Sequence, residues 1–171
     1  MKRRFKVVLI IVVANLSFAL LPVKAGAQEV NVGELVSMIN MDHFSIDTLM
    51  KKKGYRLMQK DVDSVSEEFY YSHLERNDQA PTWVRALSYI DVDLKEVKSR
   101  VLTYRTYNRD EYLKMMSALL SRGYKTKEVF DFKDSKHTVF DDGHMPVRVK
   151  ITNNKMENGR LIRSYEFELG K

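Results

Sequence analysis

LMKKKGYRLMQK occupies residues 49–60, and LLSRGYKTKEVF occupies residues 119–130. Each stretch closes a helix-like pattern with a basic residue, passes through Gly-Tyr and enters a strand-like run. The pairs Gly54-Tyr55 and Gly123-Tyr124 lie 69 residues apart. Glycine reaches the left-handed conformation that ends a helix, and cations in the last turn face the negative end of the helix dipole. Ser45 is the expected N-cap of the first of these helices. It would turn Ile46, Leu49 and Met50 inward and set Phe44 and Leu49 at the staple positions. Lys51, Lys52 and Lys53 read as a solvated helix end rather than an anion site. In the second copy Asn108 caps, Glu111 stands three residues on as in a capping box, and Tyr107 and Tyr112 can staple. Tyr112, Met115, Met116, Leu119 and Leu120 form one apolar stripe, with the methionines as core filler. A shorter helix precedes both, from Val32, Leu35, Val36 and Ile39.

After each Gly-Tyr the period changes to that of strands. The first half predicts strands near 55–60, 67–75, 82–91 and 97–107. The second predicts them near 124–131, 135–141, 144–153 and 160–169, with hairpin signals at Asp142-Gly143 and Asn158-Gly159. The last hairpin can be registered by parity. A two-residue loop would set Ile151 opposite Glu166. A three-residue loop, Glu157-Asn158-Gly159, pairs Val149 with Phe167, Ile151 with Tyr165, Lys150 with Glu166 and Arg148 with Glu168, and needs a left-handed Gly159. The expected fold is α+β: a tandem repeat of a helix and an antiparallel meander of three or four strands. Residues 28–107 and 108–171 would form the two repeats, fused into one domain. Helices would cover one sheet face and leave the other open.

Residues 1–27 are set apart. Lys2, Arg3, Arg4 and Lys6 lead into an apolar run from Val7 to Val23, and Ala25-Gly26-Ala27 is a cleavage signal. An export signal cleaved near Ala27 is expected, with the periplasm or the medium as destination. The full chain carries +6, but five of its 29 basic residues and none of its acids lie in this segment. The remainder holds 24 basic against 23 acidic residues, a balance of +1. That is no footprint for nucleic acid. The chain has no cysteine, which excludes disulfides, thiolate chemistry and a lipidated N-terminal cysteine.

Lys52-Lys53-Gly54-Tyr55 and Ser121-Arg122-Gly123-Tyr124, with the strands after each, resemble the tandem helix-plus-four-strand units of the beta-lactamase-inhibitory-protein architecture. They are also similar to uncharacterised secreted bacterial proteins with the same helix-Gly-Tyr-strand repeat. The resemblance spans most of the chain after residue 27. It departs from the inhibitory family in lacking cysteine, so no binding residue or target carries over. It implies a concave sheet face that grips another protein.

Chemical motifs are sparse. Every glycine is accounted for in the signal segment, before the first helix (Gly33), at a helix cap, in a turn or at the end, so none is left for a phosphate-binding loop, and no cofactor is expected. His137, Asp141, Asp142 and His144 suggest metal ligands at first. If Asp141 faces His144 across a turn, however, His137 lies about 13 Å away, beyond a shared zinc. Asp61/Asp63 and Asp91/Asp93 read as turn acids, and His43 and His73 stand alone in sequence. The remaining candidate is TWVRALSYI, residues 82–90. Trp83, Arg85, Leu87 and Tyr89 share one parity and include residue types enriched at binding hot spots. Arg85 favours an outward row, since arginine is rarely buried. The opposite assignment makes this row the core. Tyr70 and Tyr104, or Arg105 and Tyr107 on the other parity, would extend it. The expected function is an exported, non-enzymatic binding or inhibitory module holding a protein or envelope partner. A small envelope-associated enzyme and a structural accessory protein remain the alternatives.

Overall fold

The computed structural model describes residues 28–77, 80–94, 97–155, 159 and 161–171, with side chains described for all of these except 74–77 and 80–84. The expected export segment, residues 1–27, lies outside the described residues. Three helices are described: α1 (Val32–Met38), α2 (His43–Lys52) and α3 (Arg109–Ser121). Eight strands follow the two longer helices in groups of four. The first group is β1 (Arg56–Val62), β2 (Ser66–Asn77), β3 (Ala80–Leu94) and β4 (Val97–Thr106). The second is β5 (Lys125–Phe132), β6 (Ser135–Asp141), β7 (Val147–Lys155) and β8 (Leu161–Gly170). All eight belong to one antiparallel sheet in the order β1-β2-β3-β4-β8-β7-β6-β5. Each meander runs in chain order, and the two meet where β4 pairs with β8. The fold is therefore α+β.

The glycines that end α2 and α3 do the same backbone work, at φ of 84° for Gly54 and 88° for Gly123. A side chain at these angles meets its own carbonyl, which is why glycine stands there. The strands that follow are bulged at matching places, between Leu57 and Gln59 in β1 and between Thr126 and Glu128 in β5. The terminal hairpin has the expected register: Val149 opposite Phe167, Ile151 opposite Tyr165, Lys150 opposite Glu166 and Arg148 opposite Glu168. Gly159 has φ of 77°, while residues 156–158 of the loop lie outside the described residues. The preceding hairpin is wider than a tight turn, because Phe140 pairs with Val147. Asp141 and Asp142 spend their carboxylates on the amides of Gly143, His144 and Met145 within it.

Alternate strand positions build the core. Phe69 and Tyr71, Leu87 and Tyr89, Leu102 and Tyr104, Val147 and Val149, and Phe167 and Leu169 join Leu35, Met38, Ile46, Met50, Met115 and Leu119 of the helices in one apolar cluster. Each such side chain contributes about 1.5–3 kcal/mol on burial. In contrast, β1 and β5 are exposed along their whole length, as the two edges of the sheet.

Three helix-end expectations are corrected. The N-cap of α2 is Asp42, whose carboxylate accepts the Ser45 amide at 2.8 Å, so Ser45 lies inside the first turn. That shift moves Phe44 off the staple position, and it is 78% exposed. Lys53 is not solvated with Lys51 and Lys52. It is buried, donates to the Glu29 carbonyl at 2.9 Å and pairs with Glu34 at 2.8 Å, anchoring the chain that enters α1. Finally, Asn108 caps α3, but Glu111 does not complete a capping box. The Asn108 amide donates to Thr106 Oγ1 instead, which releases the Glu111 side chain into the core.

Candidate binding surface

The strand register decides where the TWVRALSYI row points. Leu87 is opposite Tyr71 on one side and Tyr104 on the other, and Tyr89 is opposite Phe69 and Leu102. Arg85, Leu87 and Tyr89 are all buried on the core face, so this row is not the outward one expected. The register slips between His73 and Leu74, which sets Trp83 opposite Leu74; its side chain lies outside the described residues.

Arg85 can be buried because it meets a carboxylate there. Its Nε donates to Glu111 Oε2 at 2.8 Å, and Thr106 Oγ1 donates to the same oxygen at 2.9 Å. Tyr104 donates to Glu111 Oε1, so the hydroxyl of Tyr55, 3.1 Å away, is the donor to Tyr104. Burial, and then for Tyr104 the negative groups beside it, push both tyrosine hydroxyls well above the ordinary phenol range. Burial pulls the Arg85 guanidinium down, but its bond to Glu111 more than offsets this and the net direction is up. The set is closed to solvent, with Glu111 only 1% exposed. Its chemistry is that of an internal strut.

The opposite face carries the other parity. Arg105 lies opposite Ala86 and Glu166, and Tyr70 lies opposite Ser88. Glu166 Oε1 stands 3.4 Å from both Arg105 Nε and Lys150 Nζ, and Arg148 pairs with Glu168 at 3.0 Å. Burial lowers the Arg105 guanidinium, but the charge and hydrogen bond of Glu166 raise it by more, for a net upward shift. Tyr107 is exposed, with Arg105 and Tyr70 half-buried beside it. Arg105 and Tyr107 stand on the alternative parity as expected, but Tyr70, expected beside Tyr104, is on the opposite face from it, because Tyr71 rather than Tyr70 lies across from Leu87. The signal that selects this parity is the run of small residues, Ser72, Ala86 and Ser88, between large core side chains.

The remaining candidates are placed as follows. His43 stacks on Phe69 with ring centres 3.3 Å apart, and its Nε2 lies 3.0 Å from the Tyr71 hydroxyl. The Tyr71 hydroxyl also lies 3.4 Å from Asp47 Oδ1, to which it donates. His137 is not at an exposed tip. It is buried against Phe130, with ring centres 4.9 Å apart and neither nitrogen hydrogen-bonded. Asp91 accepts from Tyr89 and Arg100, and Asp63 accepts the amides of Val65 and Ser66. No group of three or more metal-ligating side chains occurs among the described residues. One groove among the described residues, of about 490 Å³, is shallow and lined by residues of both charges, including Asp131, Lys136 and Arg163. No helix among the described residues is long and apolar enough to cross a membrane. Comparison of the chain with protein-family models, curated proteins and solved structures returns no match.

Proposed function

We propose that the protein is an exported, non-enzymatic binding module that holds a protein or cell-envelope partner on the sheet face opposite the core. In this reading the chain is a tandem repeat whose helices share one face. The matching positive-φ glycines and matching bulges, both 69 residues apart, support the repeat. Two meanders meeting at β4 and β8 support a single extended face.

The observation that carries the proposal is Arg105, half-buried between Tyr70 and Tyr107 and held against Glu166. Tyrosine and arginine offer large contact area and directional donors, and they concentrate at interface hot spots. The ladder of Lys150, Glu166, Arg148 and Glu168 presents both signs of charge, which suits a polypeptide better than a polyanion. Arg85, Leu87 and Tyr89 support this face from behind rather than forming it.

The test is retention of a partner from envelope and medium fractions by immobilised chain beginning at Gln28. The comparison is Arg105→Ala combined with Tyr107→Ala. Loss of the partner by a variant with unchanged circular dichroism is expected. Equal retention by the variant, or no partner held by the wild type, would refute the proposal.

A further inference from the structure

The sheet's β5 edge differs from its β1 edge in what it could pair with. Strand β5 reads Lys125-Thr126-Lys127-Glu128-Val129-Phe130-Asp131-Phe132 and pairs only with β6. Val129 is 53% and Phe132 58% exposed, and Phe130 is also exposed. An apolar edge with free backbone groups is a template for another strand. A two-fold axis perpendicular to the sheet would join two copies of β5 antiparallel while keeping both faces continuous. Such an axis must lie midway between a residue and its own copy, because opposed residues share a face.

Few registers survive the charges. Centring on Glu128 opposes the two Glu128 carboxylates. Centring on Phe130 sets Val129 against Asp131 and brings Lys127 toward Lys133. Centring on Val129 opposes Val129 to its own copy, sets Phe130 beside the aliphatic stem of Glu128, and leaves each Lys127, at the bulge, within a lysine side chain's reach of the other copy's Asp131. Lys127 is the bulged residue and now pairs with Asp141 at 3.0 Å, with its side chain largely in solvent and free to bridge further. The same exercise on β1 yields no ionic pair. Its sequence, Arg56-Leu57-Met58-Gln59-Lys60-Asp61-Val62, opposes Lys60 to itself, to Met58 or to Arg56.

We infer that β5 is a homodimerisation edge, joining two copies through a Val129-centred antiparallel pair into one continuous sheet. A strand pair of this length is a small interface, so association is weak and depends on concentration. It is independent of the partner face, which lies on the broad side of the sheet.

The experiment is sedimentation equilibrium of the chain beginning at Gln28, which holds every described element. Wild type should pass from monomer to dimer as concentration rises. Lys127→Asp alone and Asp131→Lys alone should each remain monomeric, since each opposes like charges. An equimolar mixture of the two should dimerise, because both ionic pairs then form between unlike chains. Val129→Cys, in a chain with no other cysteine, should oxidise to a covalent dimer, while Met58→Cys on the other edge should not. A wild type monomeric throughout, single variants that dimerise normally, a mixture that stays monomeric, or growth beyond dimer would each overturn the inference. If a charge variant fails to fold, the Val129→Cys and Met58→Cys pair decides alone.

Discussion

The two Gly-Tyr junctions share a backbone and differ in what their tyrosines do. Gly54 and Gly123 have nearly the same φ, and Tyr55 and Tyr124 are both buried. Yet Tyr55 enters the core chain of Tyr104, Glu111, Arg85 and Thr106, whereas Tyr124 reaches Asp142 in a surface turn. The preceding cation differs as well. Lys53 is buried on Glu34 and the Glu29 carbonyl, while Arg122 is exposed. Local chain grammar therefore repeats, but the polar cargo it carries inward does not. The first junction is wired to the second half through Glu111 of α3, so the halves are joined by a buried ionic group as well as by β4 and β8.

The sharpest way to break this contrast is Glu111→Ala. It removes the carboxylate that Arg85, Tyr104 and Thr106 share, and losing one member of a buried ion pair costs about 3–5 kcal/mol. The urea midpoint should fall accordingly, and Glu111→Gln should recover part of the loss by keeping an acceptor. Asp142→Asn at the second junction should produce a far smaller change. If the two variants were equally mild, the buried set would be incidental to the fold.

Next comes the cation before each glycine. Lys53→Met keeps the stem's volume but deletes the bond to the Glu29 carbonyl and the pair with Glu34. Glu29 and Glu34 stay reachable by water, so the loss is that of the bonds themselves, about 1–2 kcal/mol. Arg122→Met, at an exposed position, should stay within about 0.5 kcal/mol. Equal effects would mean that burial of Lys53 is energetically idle.

The glycines should restore the symmetry. Gly54→Ala and Gly123→Ala each force a Cβ into the left-handed region, at about 1 kcal/mol apiece. At Gly123 nothing lies within 4 Å of an added Cβ, so the cost there is backbone strain alone. Similar losses in urea melts are expected. A much larger loss at one site would show that the two turns are not equivalent.

What could be read beforehand follows the same division. Strand positions, the terminal register and the capping glycines follow from period and turn chemistry, which act within a few residues. The site expectation failed where a distant residue decided. Arg85 argues for an outward row only until Glu111, brought in by α3, supplies a buried counter-charge. Nothing near residue 85 encodes that pairing. The Glu111 side chain was itself expected at the α3 N-terminus, where Thr106 Oγ1 holds the Asn108 amide instead. Arg105, Tyr107 and the charge ladder were available as the other parity of the same strands. Choosing between parities required knowing which row the helices cover.

The smallest expected effect concerns the ring at the start of each long helix. His43 stacks on Phe69 in the first half, and Tyr112 stacks on Tyr165 in the second, with ring centres 4.3 Å apart. Only the first can charge near neutral pH. Burial holds the His43 imidazole below its ordinary value, against a weaker upward pull from Asp47, Glu67 and Asp42, while Lys60 adds to the lowering. An unfolded histidine takes its proton near pH 6.5, so below that point the unfolded state binds more protons than the native one. Stability should therefore decline as pH falls through about 6.5, and level off only below the folded value. The expected result is a drop in urea midpoint between about pH 7.5 and 5.5 that shrinks in His43→Phe and persists in Tyr112→Phe. A slope unchanged in His43→Phe would place the titrating group elsewhere. It would also leave the stacked rings of the two helices alike in their response to protons.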